Sequence, residues 1–291
     1  MKGCMSAGPP AFAGLNRGVT PLASAGCCWG GSHRWEWRPL WIAGAAALIA
    51  VAPDSLRAGG PSKGLLPDIR TVVPQHLNVM NEHQREILRF SNGIANTGDG
   101  PWRMRPLFPV SGAGTQDAVQ EILDASGNLV QEKVVSQYEF HEQHNHWHIG
   151  NIALFEVRAG SPTGPVVGGN SIKVTFCLID WYKLDDNSKT PERTYFDCSG
   201  TYQGISVGWV DQYHQATEGQ QLDITALPAG TYYLMSTANP DGTFLEKSTT
   251  NNTAWVSFQL SRPSNGNAKI EVTGHSSCDT PGMCGEQSPN R

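Results

Sequence analysis

Four of the nine histidines in this 291-residue chain fall within eight positions, His141-Glu-Gln-His144-Asn-His146-Trp-His148. In an extended segment, side chains at i, i+2 and i+4 project to one side. The spacing therefore predicts His144, His146 and His148 converging as three imidazoles on one ion, with Asn145 and Trp147 facing away. An all-nitrogen site suits copper, zinc, nickel or iron; the affinity order puts divalent copper first, but spacing does not separate copper from zinc. Three protein ligands leave a position for water or substrate, the arrangement of a catalytic centre. His141, three residues before His144, is a fourth ligand or a hydrogen-bonding partner behind the others. The plain alternative is a histidine-bearing strand on a solvated face, which two strictly alternating steps beside apolar strand sequence disfavour.

The elements that must carry these residues read as strands. Period-two or apolar runs of strand length occur at 86–90, 152–157, 171–176, 231–235 and 254–258. Turn signals stand between them at Asn92-Gly93, 98–101, 126–128, 228–230 and 240–242. No segment sustains a helical period; residues 76–86 are the one candidate for a short helix. Many short strands with frequent turns predict an all-β fold, a β-sandwich whose long loops carry the metal site. The predicted organisation is an N-terminal extension over 1–64, a domain over 65–261, and a loose polar tail over 262–291 that holds a cysteine pair.

Charge and composition narrow the function. Lys and Arg number 21 against 26 Asp and Glu, a formal charge of −5, so nucleic acid is not an expected partner. Residues 40–52 form an apolar run of about 13 residues behind a basic flank at Arg34 and Arg38, which fits a signal-peptide core and is short for a membrane span. Ala50-Val51-Ala52 resembles a cleavage site, although Pro53 is awkward there and a cut near Ala58 is the alternative. The long prefix before Arg34 suggests a misplaced start codon. Cleaved or kept as an anchor, the segment predicts that the rest of the chain is exported, to the periplasm, the cell surface or the medium. An uncleaved segment is the one route to a membrane. Beyond this extension four cysteines remain, Cys177, Cys198, Cys278 and Cys284, an even number that suggests two disulfides in an exported protein. Of the three connectivities, the local pairs Cys177–Cys198 and Cys278–Cys284 are expected, the first worth about 3 kcal/mol of chain entropy.

From the histidine segment onward the sequence resembles the catalytic domain of the lysyl oxidase family. The H-x-x-H-x-H-x-H copper motif falls on His141 to His148. The family's Lys-small-Ser/Thr-Phe-Cys-Leu stretch is matched by Lys173-Val-Thr-Phe-Cys-Leu178. Gln203-Gly-Ile-Ser-Val-Gly208, Asp211-Gln-Tyr213 and Asp223-Ile-Thr225 match the next landmarks. Pro228 to Leu234, Asn239-Pro240, Glu246 and Asn251-Asn252 match the last. The resemblance covers roughly Leu66 to Leu260.

The resemblance implies copper and a lysyl tyrosylquinone formed by crosslinking Lys173 to Tyr213. Copper and O₂ oxidise a nearby phenol to an electrophilic ortho-quinone, and a neutral lysine amine adds to it; burial favours that neutral amine. The implied reaction is oxidative deamination of a primary amine, a lysine-bearing protein included, to an aldehyde, with hydrogen peroxide and ammonia released. Asp211, two residues from Tyr213, is the candidate base for the substrate α-proton; His141 is its rival, and a turn-capping aspartate is the plain reading. The resemblance also implies calcium at Asp68, Glu246, Asn251 and Asn252. There Ser248 replaces a family aspartate and removes one hard oxygen charge, and a turn held by Asn side chains is the alternative. Gln143 stands where animal members have cysteine.

Three readings follow: an exported copper amine oxidase, a non-catalytic copper-binding sandwich, and an adhesive or scaffold sandwich with incidental histidines. Retention of both Lys173 and Tyr213 argues for the first, since neither alternative needs that pair.

Overall fold

The computed structural model describes residues 63–110, 114–186, 189–264 and 266–289, all within one compact unit, Arg57–Arg291. The basic flank, the apolar run and the cleavage sites expected before Lys63 lie outside the described residues. In chain order the strands begin β1 (Ile69–Thr71), β2 (Gln75–Glu82), β3 (Arg85–Asn96), β4 (Trp102–Pro106) and β5 (Thr115–Leu123). They continue β6 (Leu129–His141), β7 (His146–Ala159), β8 (Val166–Phe176), β9 (Tyr182–Lys183) and β10 (Gln203–Ile205). The last are β11 (Trp209–Tyr213), β12 (Gln221–Asp223), β13 (Gly230–Ala238), β14 (Thr253–Ser261) and β15 (Lys269–His275). No helix occurs among the described residues, and the fold is all-β and sandwich-like.

Two antiparallel sheets face one another. The larger runs β10-β4-β5-β6-β7-β13-β14-β15, with β8 also on β7; the smaller runs β1-β3-β11-β9, with β2 and β12 on the remaining length of β3. Inward side chains interdigitate between them, as strand alternation requires. Phe90 of β3 meets Phe155 of β7 edge to face at 4.8 Å, and Ile69, Leu88, Ile149 and Phe258 are fully buried around them. The Thr71 and Ser236 hydroxyls, 2.7 Å apart, add a buried polar tie between the sheets. Ile149 has partners on both sides, Tyr138 of β6 and Phe176 of β8, so the histidine strand is held between the two.

The strands expected at 86–90, 152–157, 171–176, 231–235 and 254–258 all form. Three expectations are corrected. Residues 76–86 are no helix: β2 pairs with β3 through His83-Gln84, both at positive φ (52° and 66°), which is the backbone of a two-residue hairpin turn. Asn92-Gly93 is not a turn but lies inside β3. The glycine is required there by close packing, since a Cβ would come within 2.8 Å of Val210 Cγ1. The segment 262–291 is not loose: β15 extends the large sheet, and Met283 is buried with Val72, Ala95, Leu184 and Val210. Its carbonyl accepts from the Val73 amide at 3.0 Å, and Arg70 pairs with Asp279. Both local disulfides, Cys177–Cys198 and Cys278–Cys284, are formed.

Candidate metal centre and neighbouring tyrosine

The four histidines gather at the end of one hairpin. β6 ends at His141 and β7 begins at His146, and these two are cross-strand partners. Residues 142–145 make the turn, closed by the His144 amide on the His141 carbonyl at 3.1 Å, with Asn145 at φ 54°. The strand rule therefore applies to His146 and His148 but not to His144, which stands on the turn. His141 enters from the opposite strand.

The imidazoles converge nonetheless. Ring nitrogens of His141, His144 and His148 lie within 4.8 Å of one another, and His146 Nε2 is 2.9 Å from His148 Nε2. The His141 and His148 rings stack with centroids 4.8 Å apart. His148 Nδ1 lies 3.1 Å from the Thr175 hydroxyl, which fixes the ring and leaves Nε2 directed at the cluster. Burial first, then the neighbouring imidazoles, push His148 down to about 3, so it is neutral and ready to ligate at neutral pH. His146 is lowered by the same causes. Trp147 turns into the core against Tyr138 and Phe140, the opposite face of the same strand.

A groove of about 190 Å³ opens beside the cluster, walled by Ile172, Val174 and Phe176 of β8 and by Glu218. Behind that wall is the tyrosine. Tyr213, at the end of β11 in the other sheet, stacks face to face on Phe176 with centroids 3.6 Å apart and planes 13° from parallel. Its hydroxyl donates to the Cys177 carbonyl, and its other polar neighbour is Asp211. Burial pushes the Tyr213 hydroxyl well above the usual phenol range, and Asp211 adds to that shift. Asp211 is 2% exposed and its Oδ2 has no partner. Burial drives its carboxyl well above the carboxylate range; Tyr213 and the Ile179 amide oppose the shift, and nearby Asp180 reinforces it. Lys173 lies on β8 opposite Leu154, three residues before Phe176; its side chain lies outside the described residues.

This layout joins the two sheets at one seam: a nitrogen cluster on β6, β7 and their turn, and a half-buried phenol with a buried carboxyl on β11. The Cys177–Cys198 bridge ties the two parts, because Cys177 receives the Tyr213 hydroxyl while the Cys198 carbonyl accepts from the Trp147 amide at 3.1 Å. Residues 122–266 match the family model described as Lysyl oxidase. This chain belongs to the lysyl oxidase family. It is similar to human lysyl oxidase homolog 3, at 30% identity over 169 residues that make up 58% of this chain and 18% of that protein. It is also similar to protein-lysine 6-oxidase of Sus scrofa, at 28% identity over 116 residues, 40% of this chain and 44% of that protein. The chain thus spans less than half the length of either relative.

The chain has a second cluster, built from oxygen. Asp68 Oδ2 accepts from Asn251 Nδ2 at 3.1 Å and from the Thr97 hydroxyl at 2.8 Å. Glu246 Oε1 accepts from Asn252 Nδ2 at 2.8 Å and Oε2 from the Ile69 amide at 3.0 Å. Asp68 Oδ1, Asn251 Oδ1 and Asn252 Oδ1 are buried without partners. Burial raises the Glu246 carboxyl, its amide donors oppose the shift, and Asp68 adds to it.

Sequence reasoning had not picked out Thr175, Phe176 or Glu218 as site residues. Thr175 and Phe176 lie inside the Lys173–Leu178 motif. Glu218 sits in the stretch 214–220, where no periodicity marks it.

Proposed function

We propose that this lysyl oxidase-family protein is an exported, copper-dependent amine oxidase. It deaminates primary amines, peptidyl lysine included, to aldehydes with O₂ as acceptor, releasing hydrogen peroxide and ammonia. The observation that carries the reading is the placement of three converging imidazoles, His141, His144 and His148, on the groove whose Phe176 wall stacks on Tyr213.

The donor set fits copper: imidazole nitrogen suits that ion, the ring nitrogens of His141, His144 and His148 lie within 4.8 Å of one another, and His148 is held neutral. His141, His144 and His148, with His146 beside His148, would hold the ion, and Lys173 with Tyr213 would form the quinone. Copper and quinone together supply the redox chemistry that amino-acid side chains lack. The chain's own residues do the rest. Phe176 covers one face of the partly buried Tyr213 ring. Asp211 takes the substrate's α-proton at the carboxyl oxygen left unpaired, and its raised pKa makes it a stronger base than a solvated aspartate. The two disulfides support an oxidising compartment outside the cytoplasm.

The interposed Phe176 ring is also what a non-catalytic copper-binding sandwich would show, since it separates the phenol from the groove. Peroxide release measured against a panel of small primary amines and lysine peptides, after aerobic copper loading, decides between the two. Release supports the oxidase; bound copper without release supports the binding protein.

Calcium is assigned to Asp68, Glu246, Asn251 and Asn252. Hard oxygens, two carboxylates and three buried oxygens without partners fit such an ion. Calcium at about 100 times its dissociation constant should stabilise the fold by about 2.7 kcal/mol. For a domain of this size that is a rise in Tm of about 5 °C or more. Differential scanning calorimetry with and without calcium checks it, and Glu246→Gln should remove the shift.

A further inference from the structure

Away from the histidine hairpin, a second set of nitrogen and sulfur donors converges. His275 ends β15, and Cys278 and Cys284 lie in the segment that follows. One ring nitrogen of His275 and the two sulfurs stand within 4.8 Å of one another, with His275 Nδ1 3.8 Å from Cys284 Sγ. The two sulfurs are spent on each other as the Cys278–Cys284 bridge. The thiolate is the form of cysteine that ligates metal, so the donor set is complete only when the bridge is open.

The backbone around these residues does not depend on the bridge. The Ser276 amide donates to the Trp255 carbonyl at 2.9 Å, and the Ser276 hydroxyl accepts from the Trp255 amide at 3.1 Å. Arg70 holds Asp279 and, at 3.0 Å, the Thr280 hydroxyl. The Val73 amide donates to the Met283 carbonyl at 3.0 Å, and Gln75 Nε2 to the Cys284 carbonyl at 2.8 Å. Each cysteine is thus flanked by contacts that involve no sulfur. With Cα atoms 5.7 Å apart, side-chain rotation alone can set the freed sulfurs on either side of one ion, at metal–sulfur distances of about 2.3 Å. Opening is also selective. This bridge spans a sequence separation of 6 with both cysteines half-buried, whereas Cys177–Cys198 spans 21 and Cys177 is fully buried. Chain entropy protects the shorter loop less, and a reductant has freer access to its sulfurs.

We propose that His275, Cys278 and Cys284 form a redox-gated copper(I) site, separate from the histidine hairpin. A dithiol supplies the two electrons and two protons that turn the bridge into two thiols, and itself becomes a disulfide. Uptake of one cuprous ion then releases both thiol protons and leaves the ion between two thiolates and one imidazole. Thiolates select copper(I) and zinc. A closed zinc site takes four protein ligands, and three converge here. The reductant that opens the bridge also keeps copper cuprous. Bridge and ion therefore exclude one another.

The test uses the full chain, reduced with dithiothreitol, freed of it by anaerobic gel filtration, and titrated with copper(I) against a chromophoric cuprous chelator. The reduced chain should take up one more ion than the untreated chain, with a thiolate-to-copper absorption in the ultraviolet. Reduced Cys284→Ser should lack both the extra ion and the absorption. His275→Ala, which keeps the bridge and changes only an exposed side chain, should bind the extra ion about tenfold more weakly, the scale of 1.4 kcal/mol. Equal uptake by reduced and untreated protein overturns the proposal. So does an undiminished extra ion in reduced Cys284→Ser, which would place it at Cys177 and Cys198. Wild-type affinity in His275→Ala would remove the imidazole and leave no built site.

Discussion

Tyr213→Phe should abolish amine-dependent peroxide release, by more than about 1000-fold, while copper stays bound. The phenol oxygen is the atom from which the proposed cofactor is made, and phenylalanine cannot replace it. The variant should still fold. The ring keeps its stack on Phe176, and the losses are the hydrogen bond to the Cys177 carbonyl and the polar contact with Asp211, a cost of about 1–3 kcal/mol for the groups left behind. Copper should be retained because Tyr213 touches Phe176, Cys177 and Asp211 rather than the imidazoles. Peroxide assays beside metal analysis and circular dichroism separate the two effects. Undiminished turnover would defeat the assignment of the tyrosine.

His148→Ala should lower copper affinity by more than about 100-fold, above what loss of a partner outside the coordination shell costs. His148 is the best buried of the four, is fixed by Thr175, and has its nitrogen 2.9 Å from that of His146. Removing it takes away a preorganised neutral ligand from the centre of the cluster. His144 stands on the turn and is less constrained, so His144→Ala should cost less. Competition against a chelator of known affinity measures both. Equal copper retention by His148→Ala and wild type would place the ion elsewhere.

Much of the fold was legible because its central strands alternate or run apolar at strand length, as in 152–157 and 254–258. The β2–β3 hairpin was not, because its turn is His83-Gln84, and neither residue type advertises positive φ. The same gap explains the histidine cluster. Its composition was legible, and so was the metal chemistry, but Glu-Gln-His-Asn over 142–145 contains no Gly or Pro, so the segment reads as one continuous strand. Tyr213 and Lys173 were marked by motif spacing. The stack of Tyr213 on Phe176 was not, since it arises where two sheets meet and their strands are unrelated in sequence period. Glu218 is visible only once the loop after β11 is seen lying on β8. The tail read as loose because it is polar; β15 on the edge of the large sheet, the Arg70–Asp279 pair and Met283 beside a disulfide seat it.

The most direct test of the oxidase assignment is the mass of proteolytic peptides from protein matured with copper in air. A single species joining the peptide that holds Lys173 to the peptide that holds Tyr213 is the predicted result. Two separate peptides of unaltered mass, from protein with its copper bound, would contradict it.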